Sequence, residues 1–106
     1  MVKITVLYGQ PADSEAFERY YPSHNARYAN REAIPGALRI DFSKSTSVLP
    51  GQQPAFHRAT DVWFATMEDA LSALAAPTVQ QAMQDFGSYA TGGTQVAICE
   101  VETIEL

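Results

Sequence analysis

The chain has 106 residues, 46% of them hydrophobic and 18% charged, with 7 Lys plus Arg against 12 Asp plus Glu and a formal net charge of -5. That length suits one domain over residues 1–106, and the lack of any basic run leaves nothing to neutralise a phosphate backbone, so no nucleic-acid partner is expected. No apolar stretch approaches the ~20 residues needed to cross a bilayer, and the start MVKITVLYGQ lacks the features of a signal peptide, so a cytoplasmic protein with no membrane partner is expected.

Residues 2–8 alternate, with Val2, Ile4, Val6 and Tyr8 on one face and Lys3, Thr5 and Leu7 on the other, the period of a strand. Gly9, Gln10 and Pro11 turn the chain, and Asp13 or Ser14 can cap a helix whose first turns carry Glu15 and Glu18. Pro22 lies inside that helix and cannot donate to the carbonyl four residues earlier, which predicts a kink or break just before His24. Ile34, Pro35 and Gly36 close the helical region. Residues 37–44 read as a second strand with Leu38, Ile40 and Phe42 on one face and Arg39, Asp41 and Ser43 on the other; residues 45–54 are a loop. A third strand is expected over residues 56–65, with Thr60, Val62 and Phe64 opposite His57, Ala59, Asp61 and Trp63.

Thr66, followed by Met67, Glu68 and Asp69, opens a second helix, and Pro77 ends it near Ala76 while starting another through Ala82 and Met83. Gly92 and Gly93 punctuate the chain before a last strand over residues 96–103. The order is βαββαβ, an α+β, ferredoxin-like plan with a four-stranded antiparallel sheet.

Two helices cover only one face of such a sheet. The more apolar face, including Ile4, Val6, Tyr8, Leu38, Ile40, Phe42, Val62, Phe64 and Val96, is expected to meet them. The other mixes Thr5, Leu7, Cys99 and Val101 with Arg39, Asp41, His57, Asp61 and Trp63, which suits a second copy stacked sheet against sheet: a homodimer anchored by Trp63 with opposite charges offered across the seam. His57 and Asp61, four apart on one strand, lie ~13 Å from each other and form no dyad. Cys99 is the only cysteine and reads as a small buried hydrophobe.

The candidate chemistry sits on the first helix. Phe17, Tyr20, Tyr21, His24 and Tyr28 fall within a sector of roughly 100°, so an imidazole points inward among aromatic rings, where an apolar surround favours its neutral, basic form. A core histidine bonded to a carbonyl is the competing account. No nucleophile elbow, phosphate loop or dinucleotide fingerprint occurs, and two histidines with one cysteine show no zinc-ligand spacing, so neither metal nor cofactor is expected.

The segments AFERYYPSH (16–24), the Pro35-Gly36 step, DVWFATMEDALSAL (61–74) and AAPTVQQAMQDFGSYATGG (75–93) together resemble the EthD family over nearly the whole chain. Family members often follow the histidine with a proline-containing aliphatic stretch; Asn25, Ala26, Arg27 and Tyr28 stand there instead. The resemblance implies a protomer paired through its sheets into a dimeric alpha+beta barrel, ligands held between helices and sheet, and His24 at the family's histidine position. It also implies an association with ether degradation. A similar protein type isomerises methyl-substituted muconolactones without cofactor, and fungal relatives act in polyketide pathways.

Two functions follow from these readings. One is a cofactor-independent isomerase, cyclase or dehydratase acting by proton transfer on a lactone or an aromatic, polyketide-like substrate. In it His24 serves as base or acid, Tyr20 or Tyr21 bonds a carbonyl oxygen, and Tyr8, Phe17, Ile40, Phe42, Val62, Phe64, Phe86 and Tyr89 shape the site for a small apolar or aromatic ligand. Residues 20 and 21 differ by 100° of azimuth, which leaves the choice between them open. The other is a non-catalytic accessory or carrier protein holding an apolar intermediate for an oxygenase system. An inactive dimer with a fully packed helix-to-sheet space is a third.

Overall fold

The computed structural model describes residues 1–106. Strands β1 (Val2–Tyr8), β2 (Arg39–Lys44), β3 (Arg58–Phe64) and β4 (Thr94–Glu100) form one antiparallel sheet in the order β2-β3-β1-β4. Helices α1 (Ser14–Tyr28), α2 (Met67–Ala75) and α3 (Pro77–Asp85), the last running into a 3-10 turn at Phe86–Ser88, cover one face. The α+β, ferredoxin-like plan expected from the hydrophobic periods is the one present.

Local chemistry explains the ends of these elements. The Asp13 carboxylate accepts from the Ala16 amide at 3.1 Å and the Thr66 hydroxyl from the Asp69 amide at 3.1 Å, each satisfying an amide that the helix itself leaves free. Pro77 begins α3, where its missing N–H costs nothing. Pro22, by contrast, neither breaks nor ends α1, which removes the break from the two alternatives, kink or break, expected before His24. It lies on the exposed side of the helix, where water can take up the carbonyl its ring leaves unpaired.

The core falls into two clusters. Val2, Ile4, Val62 and Phe64 pack beneath Ala70 and Ala73 of α2, and Val6 and Tyr8 pack with Phe17, Tyr21 and Tyr89 beneath α1. Phe17, Phe64 and Tyr8 are sealed from solvent, each stabilising the fold by about 1.5–3 kcal/mol through burial. Strand β1 alternates buried and half-buried residues because it lies centrally, between β3 and β4.

Two expectations about faces need correction. Leu38, Phe42 and Val96 were expected to meet the helices; Phe42, 6.3 Å from the Tyr21 ring, and Val96 do face the helix side, yet the three are 58%, 44% and 38% exposed, because β2 and β4 are the outer strands and the helices lie over the middle of the sheet. His57 was placed on the open face as an interface residue. It precedes β3, its ring meets that of Phe17 edge-on at 4.6 Å between centroids, and its Nε2 lies 3.3 Å from a Glu18 carboxylate oxygen, so the imidazole is buried on the helix side. Glu18 draws it there, already holding Arg58 in a bidentate pair.

Gly9 and Gly92 are more than punctuation. The Gly9 amide donates to the Gly93 carbonyl at 3.0 Å, and the backbones pass so closely that a Cβ on Gly9 would meet the Gly92 carbonyl, and one on Gly92 the Gln10 carbonyl, inside van der Waals contact. Gly9→Ala and Gly92→Ala should each destabilise the protein by about 1–3 kcal/mol in urea unfolding. Gly87→Ala, whose Cβ meets open space, should change it by less than about 0.5 kcal/mol.

Candidate functional site

The second half of α1 directs His24 inward, three residues after Tyr21 and seven after Phe17, on the buried stripe of the helix. The ring is 6% exposed and lies 5.0 Å from Tyr89, 5.1 Å from Tyr28 and 5.6 Å from Phe86, centroid to centroid. Its Nδ1 is 2.8 Å from Oδ2 of Asp85, the last residue of α3.

Asp85 organises the site. The Tyr20 hydroxyl donates to its Oδ1 at 2.8 Å and Ser88 Oγ at 3.2 Å, while Arg27 Nη2 donates to Oδ2 at 3.3 Å and to the Tyr20 hydroxyl at 2.8 Å. His24, Tyr20, Arg27 and Ser88 together hold this carboxyl below its usual range against the opposing cost of burial. An ionised carboxylate offers only acceptors, so Nδ1 carries the proton and donates. Burial lowers the His24 pKa below its ordinary 6.5; Asp85 opposes the shift without reversing it. The imidazole is therefore neutral near pH 7, with its remaining lone pair on Nε2.

Nε2 has no protein partner, and no buried side-chain nitrogen or oxygen lacks one, so this atom keeps an open edge. What it borders is a cavity of about 80 Å³ between sheet and helices, with His24 on its wall. Of 19 wall residues 16 are hydrophobic, drawn from all four strands and all three helices. The exceptions are His24, Asn25 and Thr60. The wall reaches the surface at Phe42 and Val96, on the two outer strands. A larger hollow of about 430 Å³ at Leu7, Gly9, Phe56 and Thr94 is bordered by no titratable side chain.

Of the residues expected to shape the site, Tyr8, Ile40, Phe42, Val62 and Phe86 are on the cavity wall. Phe17, Phe64 and Tyr89 are not: each is packed fully between sheet and helix, as core. Neither candidate tyrosine borders the cavity. Tyr20 gives its hydroxyl to Asp85, and the Tyr21 hydroxyl is 3.1 Å from Thr60 Oγ1, so only Tyr21 touches the wall, through Thr60. Asp85, Arg27 and Ser88 were missed. One signal was available: an aspartate closing a helix faces the negative end of the helix dipole, a cost that calls for compensating donors. No three His, Cys, Asp or Glu side chains converge in a way that could hold a metal ion.

Across the open face, Arg39 lies 4.6 Å and Lys3 5.3 Å from the Trp63 ring, whose Nε1 donates to Asp41 at 2.9 Å. Arg39 pairs with Asp41 at 3.0 Å and Lys3 with Asp61 at 3.3 Å. The charges expected to bridge two copies are thus already paired within one chain. Cross-strand register accounts for this: Asp41 lies directly opposite Asp61, and each carboxylate needs its own cation.

Over 104 residues, covering 98% of both chains, the protein is 30% identical to an uncharacterised 11.0 kDa protein from the thcB-thcC intergenic region of Rhodococcus erythropolis. The chain belongs to the same family as that protein. No family model matches it. Its fold is EthD-like: an EthD family protein from Bacillus halodurans superposes with a TM-score of 0.82 at 22% identity, covering 96% of this chain and 99% of the other. A dimeric protein of unknown function and ferredoxin-like fold from Bacteroides fragilis superposes at 0.68 with 17% identity, covering 94% and 95%. No helix is long and apolar enough to cross a membrane.

These ionisations predict a pH profile of stability. His24 is depressed below 6.5, so its contribution is complete above that pH and is lost as pH falls through its folded value; Asp85 adds a further loss below its ordinary 3.8. Tyr8 and Tyr89, buried and held above 10.0, contribute below pH 10.0 and lose that contribution as pH rises. Urea unfolding should show a plateau between these limits, and His24→Gln should flatten the limb just below pH 6.5.

Proposed function

We propose that the protein binds a small apolar or aromatic molecule in the cavity between sheet and helices and moves a proton on it with His24, without a cofactor. The observation that carries this reading is the 2.8 Å contact between Nδ1 and Asp85, with Nε2 unpartnered on an apolar wall. Nε2 takes a proton from an acidic C–H or O–H of the ligand, the imidazolium that forms is stabilised by Asp85, and the proton returns at another ligand atom. An isomerisation, a cyclisation or, with loss of hydroxide as water, a dehydration follows. Tyr20, Arg27 and Ser88 hold Asp85, and Asp85 holds the ring. Burial serves the same end by keeping the resting base uncharged.

Ligands are best found by thermal shift with neutral lactones, phenols and polyketide-like compounds, since binding to the folded state alone raises stability. With the substrate in hand, His24→Ala should lower turnover by about 10²–10⁴ while changing affinity only a few-fold, and Asp85→Asn should lower turnover less. The apolar character of the wall also fits a carrier for an oxygenase system. That reading prevails if wild-type protein turns over none of the ligands it binds and His24→Ala binds them unchanged.

We further propose a homodimer through the open sheet face. A chain this small gains appreciably from an added interface, and a solved structure of like fold is described as dimeric. Trp63, half-buried between Arg39 and Lys3, is the anchor. Trp63→Ala should weaken self-association at least about 30-fold in sedimentation equilibrium.

A further inference from the structure

The polar groups of the cavity wall are so disposed that they discriminate by charge and by hydrogen-bonding sense. Nε2 of His24 can only accept, because Nδ1 donates to Asp85. The Tyr8 hydroxyl is engaged with that of Tyr89 at 2.8 Å, and Thr60 Oγ1 with Tyr21. Asn25 and Tyr28 carry the wall's remaining polar groups, an amide beside the Tyr21 hydroxyl and a phenol beneath the Arg27 guanidinium, and neither bears a charge. No Lys, Arg, Asp or Glu borders the cavity. The nearby guanidinium, Arg27, is half exposed and spends Nη2 on Tyr20 and Asp85.

An anionic guest would enter with no counter-charge, facing a lone pair that has a carboxylate behind it. Burying such a charge unpaired is far costlier than burying a neutral group. A neutral hydroxyl, by contrast, supplies the donor that Nε2 lacks. Size adds a limit: about 80 Å³ is roughly half the 150 Å³ of an engineered cavity that admits benzene, so even a single ring must project toward the open side at Phe42 or Val96.

We propose that this cavity selects uncharged, single-ring apolar molecules bearing one hydroxyl, phenolic or enolic, and rejects carboxylates of the same shape. This rests on the cavity being a ligand site. Three matched probes test it at about pH 7.5 by NMR titration or calorimetry: 4-methylphenol, toluene and 4-methylbenzoate. The phenol should bind about fivefold more tightly than toluene, and the benzoate at least a hundredfold more weakly than the phenol. His24→Leu, and His24→Phe should that variant fold poorly, should bring the phenol-to-toluene ratio close to one. Benzoate binding within tenfold of the phenol, or an unchanged ratio in both variants, overturns the selection while leaving the ligand site standing. If none of the three binds, the ligand site falls, and the selection with it.

Discussion

The site depends on a single carboxylate placed where a helix least favours one. Asp85 closes α3, against the negative end of that helix, and is mostly buried beside α1. Four side chains offset this: Tyr20, His24 and Arg27 from α1, and Ser88 from the turn beyond α3. The donors that keep Asp85 ionised are for the most part groups of the neighbouring helix, so satisfying the carboxylate docks α1 against α3. The same bonds fix the tautomer and azimuth of His24. Packing, helix docking and the presentation of Nε2 are thus consequences of one interaction.

Beneath this lies a wall of aromatic rings centred on Tyr8, which meets Phe17, Tyr21 and Phe86 edge-on at centroid distances of 5.4–5.6 Å. Such contacts add about 0.5–1.5 kcal/mol each beyond burial and hold their partners in fixed orientations. The wall also separates two polar clusters. Glu18 with His57, Arg58 and the more distant Lys44 lies to one side of Phe17, and Asp85 with His24 lies toward Tyr89 and Phe86. Tyr21 joins the two regions, with the Arg58 guanidinium 5.2 Å from its ring and its hydroxyl on Thr60 at the cavity.

The parts of the fold legible in the sequence are those governed by local rules. Strand β1 alternates because the helices bury one face, Asp13 and Thr66 cap because they precede free amides, and Pro77 starts a helix because its missing donor is idle there. Inward-pointing His24 belongs to this group, as the period of its stripe shows. What periodicity does not carry is contact between elements. The exposure of Phe42 and Val96 follows from strand order, which alternation within a strand does not reveal. The turn of His57 toward α1 follows from a carboxylate 39 residues away, and the pairing of His24 with Asp85 spans 61. Tyr20 and Tyr21 looked interchangeable for the same reason; only the position of Asp85 separates them.

The two histidines of this chain are almost equally buried, at 6% and 7% exposure, and each has a carboxylate beside it, so burial and pairing do not tell them apart. Residual bonding capacity does. His57 directs Nε2 at Glu18, packs its ring against Phe17 and borders neither of the two hollows described above, so its chemistry is spent on structure. His24 engages Nδ1 alone and leaves Nε2 on a wall that otherwise offers hydrocarbon, three hydroxyls and an amide. A lone pair left unsatisfied in an apolar setting is a cost to the folded chain unless a guest or a water meets it. Nε2 of His24 keeps an open edge, and Asp85, ionised at a helix C-terminus, orients the ring; that combination is what the proposed base has and the packed His57 lacks.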